Sequence, residues 1–475
     1  MNKAKYDGME HPVRQVTDLK DIIVSSCSMF KDDTAFLEKD KPGGTFQPVS
    51  YAKVKDDMDA LGTKLIDMGL KGCKIAVVGE TSYHWFLTYF AAVCGVGVIV
   101  PLDKNLPQDE LKSLVERSHA KAIVFSNRME KTVKPLFDKP GEIEYFISMS
   151  ESENEKVLSL VKLIEEGNKL LREGARNFVD AEINPQDMAS LLFTSGTTGK
   201  SKGVMLSHKN IAANVVNVSK RVMLDKGCVV LSILPVHHTY ENTIDWVTIY
   251  QGRTIAICEG IKYILRNMNE VKANCMVGVP LVFEKIFKGL MKQAEGRGEG
   301  EKIRNAIALS RRLKLYNNRS LIRKLFKPIH QAFGGCMHLF IAGGAAMDPE
   351  ITEAFEAMGI PMIQGYGMTE YAPIIAVNQD NYSIAKSVGR PMPETKVRID
   401  NADENGVGEI VVKGPSVMLG YYEDQKATDG AIEDGWLHTG DLGYLDSDDF
   451  LYLTGRKKTV IVTKGGKNIF PEELE

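Results

Sequence analysis

Two hydrophobic periods alternate along the first part of this sequence, and that alternation restricts the fold more than any other feature. Residues 51–68 carry apolar side chains at helical spacing, and 74–78 are a short apolar run. Residues 85–94 are helical again, 97–100 extended, 109–118 helical and 121–126 extended. Short buried strands separated by helices need crossover connections, so the strands run mostly parallel and helices cover the sheet. A second alternating region covers about 187–375. Beyond it, extended stretches at 397–399, 408–413 and 450–453 are separated by Gly, Pro, Asp and Asn, which predicts a small β subdomain. The expected fold class is α/β, with two parallel-type sheets flanked by helices plus a small β-barrel-like subdomain. The expected division is 1–186 and 187–375 for two α/β subdomains and 376–454 for the β subdomain. Residues 150–186 read as a charged, helical connection without a strand.

At 475 residues the chain exceeds one compact core. A net charge of -3 argues against a general nucleic-acid binder. Seven scattered cysteines without a C-x-x-C pair favour reduced thiols, and the polar N-terminus has no signal-peptide core, so a cytoplasmic setting is expected. The most apolar run, 91–102, is too short to span a bilayer and reads as a buried helix end entering a strand. Residues 292–328 hold eleven Lys or Arg against three Glu. That stretch is a solvated helix face, or else a surface for anionic lipid or CoA phosphates, which leaves peripheral membrane contact as an alternative.

The strongest chemical signal is the run Thr194, Ser195, Gly196, Thr197, Thr198, Gly199, Lys200, Ser201, Lys202, Gly203. It follows an apolar strand at 191–193 and precedes a second at 204–206 and a helix that Ser207 can cap. Glycines let the backbone approach a ligand, while hydroxyls, free N–H groups and two lysines make a phosphate cradle. The P-loop of the common NTPases needs a glycine where Thr194 stands, so an ordinary kinase or ATPase is disfavoured.

This decapeptide resembles the signature loop of the adenylate-forming superfamily: acyl-CoA synthetases, luciferase and peptide-synthetase adenylation domains. The resemblance continues in order through Gln364–Glu370, through Gly435–Asp441, through the hinge at Gly455, Arg456, Lys457 and Lys458, and through 465–473. It implies that Thr194, Lys202, Thr369, Glu370 and His238 act in catalysis. It implies that Ser195, Gly196, Thr197, Thr198, Gly199, Lys200, Gly344, Ala345, Gln364, Gly365, Tyr366, Gly367, Asp441 and Arg456 hold ATP or AMP. Tyr366 would lie against adenine, Thr369 would meet the α-phosphate, and Glu370 would hold Mg2+, a hard cation suited to oxygen. Asp441 would accept from the ribose hydroxyls and Arg456 would donate to them. Lys458 would be the hinge, and 455–475 a stub of a C-terminal domain that carries a further lysine, so that the chain ending at Glu475 is expected to be poorly active alone.

The segment Pro235, Val236, His237, His238, Thr239, Tyr240, Glu241 resembles the substrate segment of long-chain acyl-CoA synthetases, with Tyr240 where Phe is usual. His238 would then sit beside the carboxylate pocket, next to an apolar acyl tunnel near Tyr366 and 276–280. A satisfied histidine at a helix start, or a metal site with Glu241, are the competing readings. The resemblance implies activation of a carboxylic acid, a fatty acid by preference, with ATP and Mg2+, then transfer to CoA. The rivals are transfer to a carrier-protein phosphopantetheine and a non-catalytic nucleotide-binding relative.

Overall fold

The computed structural model describes residues 10–194, 201–380 and 382–457, and the backbone at 461–462 and 468–469. Three principal sheets are formed among these residues. The first has eight strands, in the order Gly420–Tyr421, Lys202–Ser207, Met188–Thr194, Gly97–Leu102, Cys73–Val78, Ala120–Phe125, Tyr145–Ser148 and Val157–Ser159. From Met188–Thr194 onward its pairs are parallel. The second has nine strands, and its centre runs parallel through Met362–Gly367, Leu339–Ala342, Cys275–Gly278, Val229–Ser232 and Thr254–Ile257. The third is five-stranded and antiparallel, built on Gly408–Lys413 and Trp436–Leu445. This matches the α/β expectation with an added β subdomain.

The sheets are not laid down in two sequential blocks. Strands Met188–Thr194 and Lys202–Ser207 complete the first sheet, whereas Thr34–Lys39, from the start of the chain, pairs with Thr254–Ile257 in the second. The reading of 150–186 as strand-free is also corrected. Val157–Ser159 adds an edge strand beside Tyr145–Ser148. Three residues are too few to show a period of two, and Ser159 doubles as the N-cap of the next helix, Leu160–Arg172, by accepting from the Lys162 N–H. That helix turns Leu160, Leu163 and Ile164 inward and packs against Tyr51–Asp67, so it belongs to the first lobe.

The apolar run at 91–102 behaves as expected. Helix Tyr83–Ala91 ends in a π-turn, Ala92–Val96, which feeds the buried strand Gly97–Leu102. Among the described residues, no helix is long and apolar enough to cross a membrane.

Candidate active site

The parallel strands of the second sheet end at one edge, where open α/β sheets place ligands. Two turns leave there side by side, since Ala342 and Gln364 are register partners. One turn holds Gly343, Gly344 and Ala345. Tyr240 packs on it so closely that a Cβ on Gly343 would lie 2.8 Å from the ring, and Gly344 has φ +81°. The other holds Gly365, Tyr366 and Gly367, and a Cβ on Gly367 would lie 2.1 Å from the Pro373 carbonyl oxygen. Only glycine allows that approach. The Gln364 amide is spent on the Ala385 carbonyl, so it braces the 376–391 return segment.

Tyr366 is buried, and its hydroxyl donates to Asp441 Oδ2 at 2.6 Å. Arg456 Nε meets Asp441 Oδ1 at 2.7 Å. Asp441 and Arg456 are cross-strand partners in the third sheet, so the antiparallel register sets this pair. Burial raises the Asp441 carboxyl, while Arg456 and Tyr366 oppose the rise. Glu409 supports the same turn. It accepts from the Gly440 N–H at 3.3 Å and meets Lys457 at 2.9 Å. Burial raises this carboxyl, and its contacts with Lys457 and His438 more than offset the rise, so it ends below the usual range.

Thr369 and Glu370 follow at the start of a short 3-10 turn, both half-buried. Thr369 Oγ1 lies 3.3 Å from Thr239 Oγ1, which joins the second turn to helix Thr239–Tyr250. Glu370 accepts from the Tyr421 hydroxyl at 2.9 Å. Burial pushes its carboxyl up, against the pull of Tyr421, Lys202 and Arg456. Lys202 Nζ lies 4.9 Å from the centre of the Tyr421 ring. Thr194 and Lys202 face each other across the first sheet and form the two feet of the signature loop. Ser195, Gly196, Thr197, Thr198, Gly199 and Lys200 lie outside the described residues, as does Lys458.

His238 caps helix Thr239–Tyr250 without a side-chain bond, and its ring is 4.3 Å from that of His237. Burial and the neighbouring His238 push His237 down to about 3, so it is neutral at pH 7. Glu241 is buried and accepts from the Ile233 N–H at 3.0 Å. Among the described residues, no group of three or more His, Cys, Asp or Glu could hold a metal. That rules out a dedicated metal cage among these residues. It is compatible with Mg2+ held by one carboxylate and by substrate phosphates, since Mg2+ keeps waters and takes few protein ligands. Glu370, a half-buried carboxylate with one oxygen on Tyr421, fits that mode.

Two contributors carried no sequence signal. Tyr421 reaches Glu370 because Gly420–Tyr421 pairs back onto Met205 and Val204 of the signature-loop hairpin. Arg117 reaches Ser201 from another helix. Both contacts are long-range, and neither residue sits in a recognisable local pattern.

The sequence matches the AMP-binding enzyme family over residues 24–422, and the chain belongs to that family. A long-chain-fatty-acid–CoA ligase of Mycobacterium tuberculosis, FadD15, is 28% identical over 447 residues, covering 91% of this chain and 73% of the relative. A chloroplastic long-chain-fatty-acid–[acyl-carrier-protein] ligase of Arabidopsis thaliana, AEE15, is 25% identical, covering 96% of this chain and 72% of that protein. The crystal structure of the N-terminal domain of FACL13 from M. tuberculosis superposes with a TM-score of 0.73 at 19% identity, covering 93% of this chain and all of that one.

Proposed function

We propose that this protein activates a fatty acid with MgATP to an acyl-adenylate and passes the acyl group to the thiol of CoA. The observation that carries the reading is the convergence of Tyr366, Asp441 and Arg456 beside Thr369 and Glu370, at the C-terminal edge of a parallel sheet. A carboxylate oxygen attacks the α-phosphorus, and the bond to pyrophosphate breaks. The thiol sulfur then attacks the acyl carbonyl carbon, and AMP leaves with the electron pair of the carbon–oxygen bond.

In this reading Asp441 accepts from the ribose hydroxyls while Arg456 holds it in place. Thr369 donates to the α-phosphate, and Lys202 answers charge on the outer phosphates. Mg2+, held by Glu370, would neutralise phosphate charge. His238 lines the entry of the carboxylate, and the acyl chain runs in an apolar tunnel near 276–280.

A second acceptor, carrier-protein phosphopantetheine, is favoured by the similarity to the Arabidopsis carrier-protein ligase. A panel of carboxylic acids scored by ATP–pyrophosphate exchange, followed by thioester formation with CoA or with acyl carrier protein, tests both steps. Fatty acids should give the highest exchange. A short dicarboxylic or amino acid that outcompetes all of them would overturn the substrate reading.

A further inference from the structure

The hairpin that carries the signature loop is gripped from outside by one side chain. Arg117 stands in the last turn of helix Gln108–Ser118. Its Nη2 donates to the Ser201 carbonyl oxygen at 2.7 Å, and its Nη1 donates to Ser201 Oγ at 3.2 Å. The same guanidinium stacks 5.2 Å from the centre of the Phe193 ring. Phe193 lies on the strand entering the loop and Ser201 on the segment leaving it, with Thr194 and Lys202 opposed between them. One planar cation therefore ties both feet of the loop to a helix of the first lobe. Arginine suits this task, because its rigid fork bonds in a plane while its face packs on an aromatic ring. Beside the grip lies a cleft of about 310 Å³, lined by Arg117, Ser201, Lys202 and Tyr421 among others.

We infer that Arg117 is a positioning residue for the triphosphate. It fixes the foot of the loop, and with it the reach of Lys202, so that the outer phosphates meet donors already in place. The inference rests on the reading of this loop as the phosphate cradle. Arg117 spends both of its bonds on Ser201 and so acts through the loop, without itself being a catalytic residue. Feet fixed before binding leave less to order when the phosphates arrive. AMP lacks those outer phosphates and draws its contacts from Tyr366, Asp441 and Arg456, so it should be indifferent to Arg117.

The test is calorimetric titration of the chain with MgATP and, separately, with AMP, for the wild type and for Arg117→Ala, Arg117→Lys and Ser201→Ala. Arg117→Ala should weaken MgATP about three- to tenfold, a range set by one charge-assisted grip at an exposed site. AMP affinity should stay within about twofold of the wild type. Arg117→Lys keeps the charge without the fork and should fall between the wild type and alanine. Ser201→Ala keeps the carbonyl acceptor and should cost less than Arg117→Ala. Equal losses for AMP and MgATP would make Arg117 a plain structural residue and overturn the inference, as would no loss for either. A wild-type chain that binds AMP but not MgATP would overturn the phosphate-cradle reading and the grip with it. A wild-type chain that binds neither would overturn the nucleotide-site reading as a whole.

Discussion

Two buried aspartates differ in the partners the fold gives them. Asp441, 6% exposed, has one oxygen on the Tyr366 hydroxyl and the other on Arg456. Asp245, 2% exposed, lies in helix Thr239–Tyr250 and has no hydrogen-bond partner for either oxygen among the described residues. Burial drives Asp245 well above the ordinary carboxylate range, and Glu241 one turn away adds to the rise. Glu241 itself is pushed up to about 7 by burial. A buried carboxyl without donors takes a proton, because an unpaired charge in the interior costs more than neutralisation. Burial also raises Asp441, but there Arg456 and the Tyr366 hydroxyl oppose the rise. The contrast separates a carboxyl held between a phenol and a guanidinium from one left without partners in the core.

The largest expected effect is at Asp441. Asp441→Ala leaves Arg456 unpaired and, in the proposed reading, removes the acceptor for two ribose hydroxyls. Two charge-assisted bonds at about 1.5 kcal/mol each correspond to about a hundredfold loss of AMP affinity. Calorimetric titration with AMP reads it, and a loss under about fivefold would remove Asp441 from the ribose site.

A smaller effect is expected at Tyr421. Tyr421→Phe keeps the ring under Lys202 and removes only the hydroxyl on Glu370. Partners that orient a metal-binding carboxylate typically change metal affinity by about tenfold or more. Titrating Mg2+ in the presence of ATP should show about a tenfold shift, with AMP binding in the absence of metal unchanged. An equal loss in both would mean that Tyr421 supports the fold and not Glu370.

The smallest effect concerns stability. Above about pH 4 the unfolded chain ionises at Asp245 and releases a proton that the folded chain keeps. The folded-state pKa is raised, so this contribution is complete below about pH 4 and is lost as pH rises toward the folded value. Glu241 acts with the same sign up to about pH 7. Asp245→Asn has no such proton to lose. Its urea midpoint should fall less between pH 5 and pH 8 than that of the wild type. Parallel curves for the two proteins would mean that Asp245 is ionised in the fold.

Much of this was legible in the sequence where the signal is local. The helix expected at 51–68 is Tyr51–Asp67, and the one expected at 109–118 is Gln108–Ser118, because several turns of amphipathic spacing average out single-residue noise. Ser207 caps helix His208–Arg221 in a reciprocal capping box with Asn210. The strand Val157–Ser159 was too short to carry a period. Strand partnership was not legible either, since nothing in residues 34–39 encodes pairing with a strand more than two hundred residues away. The same limit hid Tyr421 and Arg117, which enter the site through pairing and packing between distant segments. Tyr366, Asp441 and Arg456 stood in short signatures and could be named in advance, although their mutual bonds could not.

The proposed reaction cleaves ATP between its α- and β-phosphates with a carboxylic acid as the attacking group. The most direct measurement is chromatography of the nucleotide products after incubation with MgATP, with and without a fatty acid and CoA. AMP and pyrophosphate should form in step with thioester, and only when the acid is present. Formation of ADP and inorganic phosphate, or AMP formation independent of any acid, would contradict it.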